Sequence, residues 1–207
     1  MASAKQSAIA CIGWGSLVWD AKDLPCLGIW HNDGPLLPVE FARESADKRI
    51  TLVICPGVPI VRTCWSLLDV PDMPSARTRL AMREYGGANA KWIENNIGFW
   101  DRESASSRGL EADTITEWAD KLGLAGVVWT NLPCKFGGQN NVMPTGEQVV
   151  AHMRGLDENA RAAAEKYVRK APLQIDTPHR RLLTQEFGWT HQGFDSGSND
   201  AGPARPT

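Results

Sequence analysis

The chain has 207 residues and a mass of 22.7 kDa, with 43% apolar residues, 22% charged residues and a formal net charge of −2. That length suits one domain with a real core, and the charge balance lacks the basic surplus of a nucleic-acid binder, so neither nucleic acid nor a membrane is an expected partner. No apolar run reaches the roughly 20 residues of a membrane span and no basic segment leads into a signal-type apolar stretch, which predicts a cytoplasmic protein.

The first predicted element is a strand, IACI at residues 9–12, running into the loop Gly13-Trp14-Gly15-Ser16 before the chain turns apolar again at Leu17 and Val18. Two glycines around one large aromatic let the backbone take a positive φ or approach a ligand closely, and successive amides in such a loop can form an anion-binding concavity. Residues 20–38 are dense in Pro, Gly and Asn-Asp-Gly, and read as irregular turns that fold over the mouth of a site. Residues 39–43 and 50–55 are β-rich and separated by a polar stretch, as in a hairpin, and 60–68 closes an antiparallel meander. After a Pro break, Ser75 is placed to cap a short helix over 76–84, which Gly86 and Gly87 stop.

Residues 91–100 are read as a further strand and 101–109 as a polar loop. TITE at 114–117 has capping-box spacing, with Ile115, Trp118, Ala119 and Leu122 in helical register up to Gly123. AGVVWT at 125–130 is a buried-strand run, and the Gly/Asn-rich stretch 131–144 is a loop. TGEQ at 145–148 repeats the capping signature ahead of a helix carrying Val149, Val150 and Met153. A second helix follows, with Ala160, Ala163, Ala164, Tyr167 and Val168 on one face and Glu165 paired to Arg169, until Pro172. Asp176 or Thr177 caps a last helix that opens on Pro178 and closes at Gly188. Strands fill the first half and helices the second, so the class is α+β, one domain over 1–189 with a polar, flexible tail over 190–207.

Candidate chemistry is sparse. The glycine loop is too short for a dinucleotide fingerprint, because Val18 stands where a third glycine belongs, and Ser16 lacks the spacing of a nucleophile elbow. It serves equally well as a purely structural turn. The histidines (His31, His152, His179, His191) have no ligand spacing among themselves or with cysteine, so no metal site is expected; His179 and His191 are read as solvated. The five cysteines (Cys11, Cys26, Cys55, Cys64, Cys134) form an odd set without a CxxC pair and are read as small core residues rather than disulfides.

Glu84 is the more informative residue. A carboxylate in the last turn of a helix faces the negative end of the macrodipole, which raises its pKa toward the range of a general acid/base. Arg83 is its neighbour in sequence, but i,i+1 residues do not share a helix face, so it need not neutralise Glu84. The alternative is a solvated helix-end glutamate. Arg43, at the end of a predicted strand, could meet a substrate carboxylate as a fork, with Ser45 on its face and Glu44, a second candidate base, on the other. In such a position both are more often surface residues beside a hairpin turn.

Taken together, GWGSLVW at 13–19 and LAMREYGG at 80–87 resemble the γ-glutamylcyclotransferases, especially the ChaC-type branch, through Gly15, Ser16, Leu17 and Trp19 in the first motif and Leu80, Arg83 and Glu84 in the second. FARESADKRITLV at 41–53 is a softer match. The resemblance covers roughly residues 9–99 and implies a small mixed β-barrel with flanking helices, to which this chain adds a helical C-terminal part. It implies that Gly13, Trp14, Gly15, Ser16 and Leu17, with Arg43, bind a small γ-glutamyl substrate and that Glu84 is the acid/base. The implied reaction cyclises a γ-glutamyl amide or peptide, such as glutathione, to 5-oxoproline and releases the amine, with no metal or cofactor. Trp14 departs from the motif, which has tyrosine there, and the helical segment 165–189 has no counterpart. Two other readings stand beside this one: a catalytically inactive ligand- or protein-binding module of the same fold, and a serine hydrolase using Ser16.

Overall fold

The computed structural model describes residues 8–193. Its first half contains β1 (Ile9–Gly13), β2 (Cys26–His31), β3 (Leu36–Leu37), β4 (Val39–Glu44), β5 (Ile50–Ile54), β6 (Val61–Arg62), β7 (Cys64–Leu68), α1 (Met73–Tyr85) and α2 (Ala90–Asn96). The second half adds β8 (Ile97–Asp101), β9 (Ser106–Arg108), α3 (Ala112–Leu122), β10 (Gly126–Thr130), β11 (Lys135–Phe136) and β12 (Gln139–Asn140). Three helices follow, α4 (Gly146–Arg154), α5 (Glu158–Lys170) and α6 (Pro178–Phe187). The protein is α+β.

Every residue of β1 is buried, which requires cover on both faces and partners on both edges. It is central in a six-stranded sheet of order β2-β7-β1-β10-β8-β9, antiparallel to β7 and parallel to β10. Strand alternation divides its side chains: Ile9 and Cys11 pack with Ala76, Leu80 and Ala81 of α1, whereas Ala10 and Ile12 enter the main core. That core joins Phe41, Ile50, Leu52 and Ile54 of a second sheet, of order β12-β11-β4-β5, to residues of α3, α4, α5 and α6. A short ladder, β3-β6, completes the strands. All three sheets are open, so the closed barrel implied by the resemblance is not formed by strand pairing among the described residues.

Two buried charged groups fix the C-terminal helices. Glu40, on β4 and 1% exposed, accepts the amide of His179 (3.2 Å), the hydroxyl of Thr177 and the amide of Phe41 (2.7 Å), so a carboxylate sits at the N-terminus of α6, where the helix dipole favours it. The guanidinium of Arg180 donates to the carbonyls of Ala171 (2.7 Å), Pro172 (2.6 Å) and Ile175 (3.0 Å) and thereby satisfies groups left open beyond the end of α5. His179 is buried and its Nδ1 lies 2.8 Å from the Phe41 carbonyl, not in solvent as the sequence suggested. Of the predicted tail 190–207, residues 194–207 lie outside the described residues; before them Gln192 donates to the Arg169 carbonyl (2.9 Å) and His191 Nδ1 lies 3.1 Å from that of Ala171.

Several predicted elements are corrected. Residues 20–38 contain β2, whose Gly28 at φ 82° bends an edge strand that leaves Leu27 and Ile29 exposed; its pattern is therefore not that of a half-buried strand. The run 60–68 is no third strand of a meander, because β6 pairs with β3 while β7 crosses to the other sheet. Residues 91–100 divide into α2, capped by the side chain of Asn89, and β8. The cap of α1 is Asp72, which accepts the amide of Ser75 (2.8 Å). The chain enters α3 through Glu111 in the left-handed region, so Thr114 lies inside the helix and the predicted box is unused. The box of Thr145 and Gln148, by contrast, is fully formed.

Candidate active site

β1 delivers the chain into the loop 14–19, and packing dictates the glycines at the end of the strand, Gly13, and in the loop, Gly15. Neither has a positive φ. A Cβ on Gly13 would lie 2.8 Å from the Trp30 ring, and one on Gly15 would collide with the hydroxyl of Tyr167, so both positions are required by close approach. The turn closes through Val18 N to Gly15 O (3.0 Å) and Asp20 N to Ser16 O (2.8 Å). The amides of Gly15, Ser16 and Leu17 donate to no acceptor among the described residues. Three consecutive free donors are a suitable receptor for an anion or a developing oxyanion.

Trp14 anchors the loop to the core. It is 3% exposed and its indole N–H donates to the Leu52 carbonyl (3.1 Å), while the Leu52 amide donates to the Tyr167 hydroxyl (3.3 Å). One residue of β5 therefore holds both the loop and α5. Trp14→Phe removes that donor and leaves a buried carbonyl short of a partner; the expected cost is about 1 kcal/mol in chemical denaturation.

The second motif ends α1. Gly86 at φ 77° closes the helix with its amide on Met82 O (2.9 Å), which puts Arg83 and Glu84 in the last turn. Although i,i+1 neighbours do not share a helix face, Arg83 donates to Glu84 Oε1 at 2.7 Å. The reason is reach. The guanidinium leaves its own helix face to donate to the Asp20 carbonyl (2.6 Å) and the Ser16 hydroxyl (3.2 Å), and in doing so passes the carboxylate. Arg83 thus ties the helix to the glycine loop. The Glu84 side chain is 17% exposed, and burial pushes its carboxyl above the usual range, although Arg83 and, more weakly, Lys22 pull the other way.

Both motifs line one cleft of about 720 Å³. Gly13, Trp14, Gly15, Ser16, Leu17, Arg43 and Glu84 are all in its wall, together with Trp19, Lys22, Arg49, Lys135 and Tyr167. Arg43 donates to the Pro133 carbonyl (2.8 Å) and has no carboxylate partner among the described residues. Glu44 also reaches the cleft but is engaged: burial disfavours its charge, yet Lys48 (3.4 Å), His152 and an amide of the 137–138 loop hold its pKa below the usual range, which suits an anchor better than a base.

Tyr167, whose helical spacing predicts a core position, also walls the cleft. It is 6% exposed, meets Trp19 and Phe41 edge-on, and has Arg49 over its ring at 5.3 Å. Burial pushes its hydroxyl up to about 12, with the Glu84 charge acting in the same direction, so it stays protonated at neutral pH. Its oxygen accepts from Leu52, which leaves its own proton to be donated. The available signal was a tyrosine, one of only two in the chain, inside an otherwise small-apolar helical stripe.

Among the described residues, no three His, Cys, Asp or Glu side chains cluster in a way that could hold a metal ion, and no helix is long and apolar enough to cross a membrane. Comparison with protein-family models, curated proteins and solved structures gave no match to this chain.

Proposed function

We propose that this chain is a cytoplasmic γ-glutamylcyclotransferase-type enzyme, built on an open variant of the cyclotransferase fold, that converts a small γ-glutamyl amide or peptide to 5-oxoproline. The observation that carries this reading is the meeting, in one cleft, of the loop residues Gly15, Ser16 and Leu17, whose amides have no acceptor among the described residues, with the largely buried Glu84 carboxyl of raised pKa at the end of α1. Those are the two parts an internal acyl transfer needs: a cradle that folds the substrate and a group that moves one proton.

In the proposed reaction the ionised Glu84 takes a proton from the substrate's α-ammonium. The freed amine attacks the γ-carbonyl carbon, a C–N bond closes the five-membered ring, and the carbonyl oxygen becomes an oxyanion. Glu84 returns the proton to the leaving nitrogen as the oxyanion re-forms the carbonyl and the original C–N amide bond breaks; the ring nitrogen then gives up its second proton, which departs on the released amine as ammonium. Attack is intramolecular, and well-oriented reactions of this kind reach effective molarities of order 10⁵ M or more, so positioning dominates. The free amides of the loop and the Tyr167 hydroxyl are donors for the α-carboxylate and the oxyanion, and Arg43 is a further cation for a substrate carboxylate. The tyrosine hydroxyl absent at position 14 is supplied to the same loop from α5.

A panel of γ-glutamyl amines and peptides, assayed for 5-oxoproline, tests the reading. At least one is expected to be turned over by the purified protein. Saturable binding across the panel without product would instead identify a non-catalytic binding module.

A further inference from the structure

Away from the cleft's catalytic groups, Val53 of β5 and Cys55, the residue just past that strand, lie on the face opposite to Leu52 and Ile54 and join Ala42 in a small apolar cluster closed by Val58, Leu132 and Cys134. The Sγ atoms of Cys55 and Cys134 lie 2.9 Å apart, and both are free thiols. No other pair of the five cysteines is in hydrogen-bond contact among the described residues. Both backbones are tied: the Cys55 amide donates to Pro38 O (2.6 Å), its carbonyl accepts from Val58 (3.3 Å), and the Cys134 carbonyl accepts from Asn141 (2.7 Å). A disulfide has its sulfurs about 2.05 Å apart, so bond formation asks for less than about 1 Å of closure between two already fixed residues.

The two thiols are not equivalent. Cys55 is 2% exposed, whereas Cys134 is half-buried and is the one a small oxidant reaches. The contact with Cys55 and, nearby, the Arg43 guanidinium lower the pKa of Cys134, while the same contact and burial push Cys55 up, the Glu40 charge adding to this. Cys134 is thus both the more exposed and the more readily ionised of the two, and Cys55 the buried thiol beside it, the division of labour that thiol oxidation needs.

We propose that Cys134 and Cys55 are a site of reversible oxidation, in which Cys134 is oxidised by a hydroperoxide and Cys55 resolves the product to an intramolecular disulfide. In the first step Cys134 ionises, its thiolate attacks one peroxide oxygen and the O–O bond breaks; Cys134 becomes a sulfenic acid, and the hydroxide released is neutralised to water by the proton Cys134 gave up. In the second, the sulfur of Cys55 attacks that of Cys134, the S–S bond forms, the S–O bond breaks, and the departing hydroxide takes the Cys55 proton. Overall two thiols lose two electrons and two protons, and hydrogen peroxide becomes two waters. A low-molecular-weight thiol or dithiol reverses the change by exchange. Because Arg43 donates to the carbonyl of Pro133, the residue before Cys134, the site abuts the wall of the cleft, and oxidation removes a negative charge beside that arginine.

The test uses the full chain, reduced, exposed to hydrogen peroxide, quenched and then alkylated in denaturant. The five alkylatable thiols are expected to fall to three, the intact mass to fall by two hydrogen atoms, and peptide mapping to recover the segments of Cys55 and Cys134 linked until dithiothreitol is added. Cys55→Ser is expected to stop at a sulfenic acid on Cys134 that dimedone traps, and Cys134→Ser to lose no thiol over the same exposure. Five thiols surviving a treatment that fully oxidises free cysteine would overturn the proposal. So would a linkage through any other pair, or a Cys134 that advances to sulfinic acid with Cys55 still alkylatable. The mapping of the parent decides even where a serine variant fails to fold.

Discussion

Replacing Glu84 by Gln is expected to lower kcat for 5-oxoproline formation by roughly 10²–10⁴-fold, the usual value of a positioned acid/base, with KM within a few-fold of the parent. The amide keeps the size of the carboxyl and still presents an oxygen to Arg83, whose other bonds, to Ser16 and the Asp20 carbonyl, are untouched. What it lacks is the ability to take the ammonium proton. In the parent, the rate should rise with pH as Glu84 ionises, at a pH above that of an ordinary glutamate; that limb should be absent from any residual activity of the variant. The same shift has a stability counterpart of defined sign. A carboxyl whose pKa is raised on folding contributes stability below its unfolded pKa and loses that contribution as pH rises through the folded value. The parent is therefore penalised near neutrality for holding a buried carboxylate, and Glu84→Gln should melt no lower than the parent at pH 7. Unchanged turnover in the variant would remove Glu84 from the mechanism.

Gly15→Ala is expected to cost about 1–3 kcal/mol of stability, as overpacking typically does, and to lower kcat/KM by roughly 10²-fold through displacement of the loop. The added methyl meets the Tyr167 hydroxyl, and behind it the ring at 3.2 Å and Leu52 at 3.8 Å. Tyr167 has little freedom to retreat, since Trp19 and Phe41 flank its ring, the Leu52 amide holds its oxygen and Arg180 braces the end of its helix. The double variant Gly15→Ala with Tyr167→Phe should recover part of the stability, because the phenyl ring leaves the methyl its space, but not the activity, because the hydroxyl donor is gone. Denaturation curves and kinetics of the four proteins measure both effects. Additive stabilities would mean that the two residues do not press on one another.

What was legible in the sequence was local. β1, the β4–β5 hairpin, α4 with its capping box and α6 between Thr177 and Gly188 are each specified by residues within a few positions of one another. β2 was hidden because its apolar residues face outward and Gly28 bends it, so the cue for a strand is its pairing to β7, some 40 residues away in the chain. Residues 91–96 carry apolar residues that suit either a strand or a helix, and the cap from Asn89 decides. The site divides in the same way. The loop and Glu84 were visible as motifs, and the cleft brings both together. The Arg83–Glu84 pair was missed because the face rule describes where side chains leave a helix and not where long ones arrive. Tyr167 was missed because only the tertiary fold turns a core position of α5 into a wall of the cleft.

The hydrogen bond between Leu52 and Tyr167 spans 115 positions of chain, and β1 receives its parallel partner β10 only from residues 126–130. Such wide separations make closure entropy the main obstacle to assembling the cleft, so it should form late in refolding and slowly by comparison with the locally specified helices. During synthesis the glycine loop and Glu84 leave the ribosome long before their third wall does. Until α5 is made, the nascent chain holds both motifs in sequence but has no cleft between them.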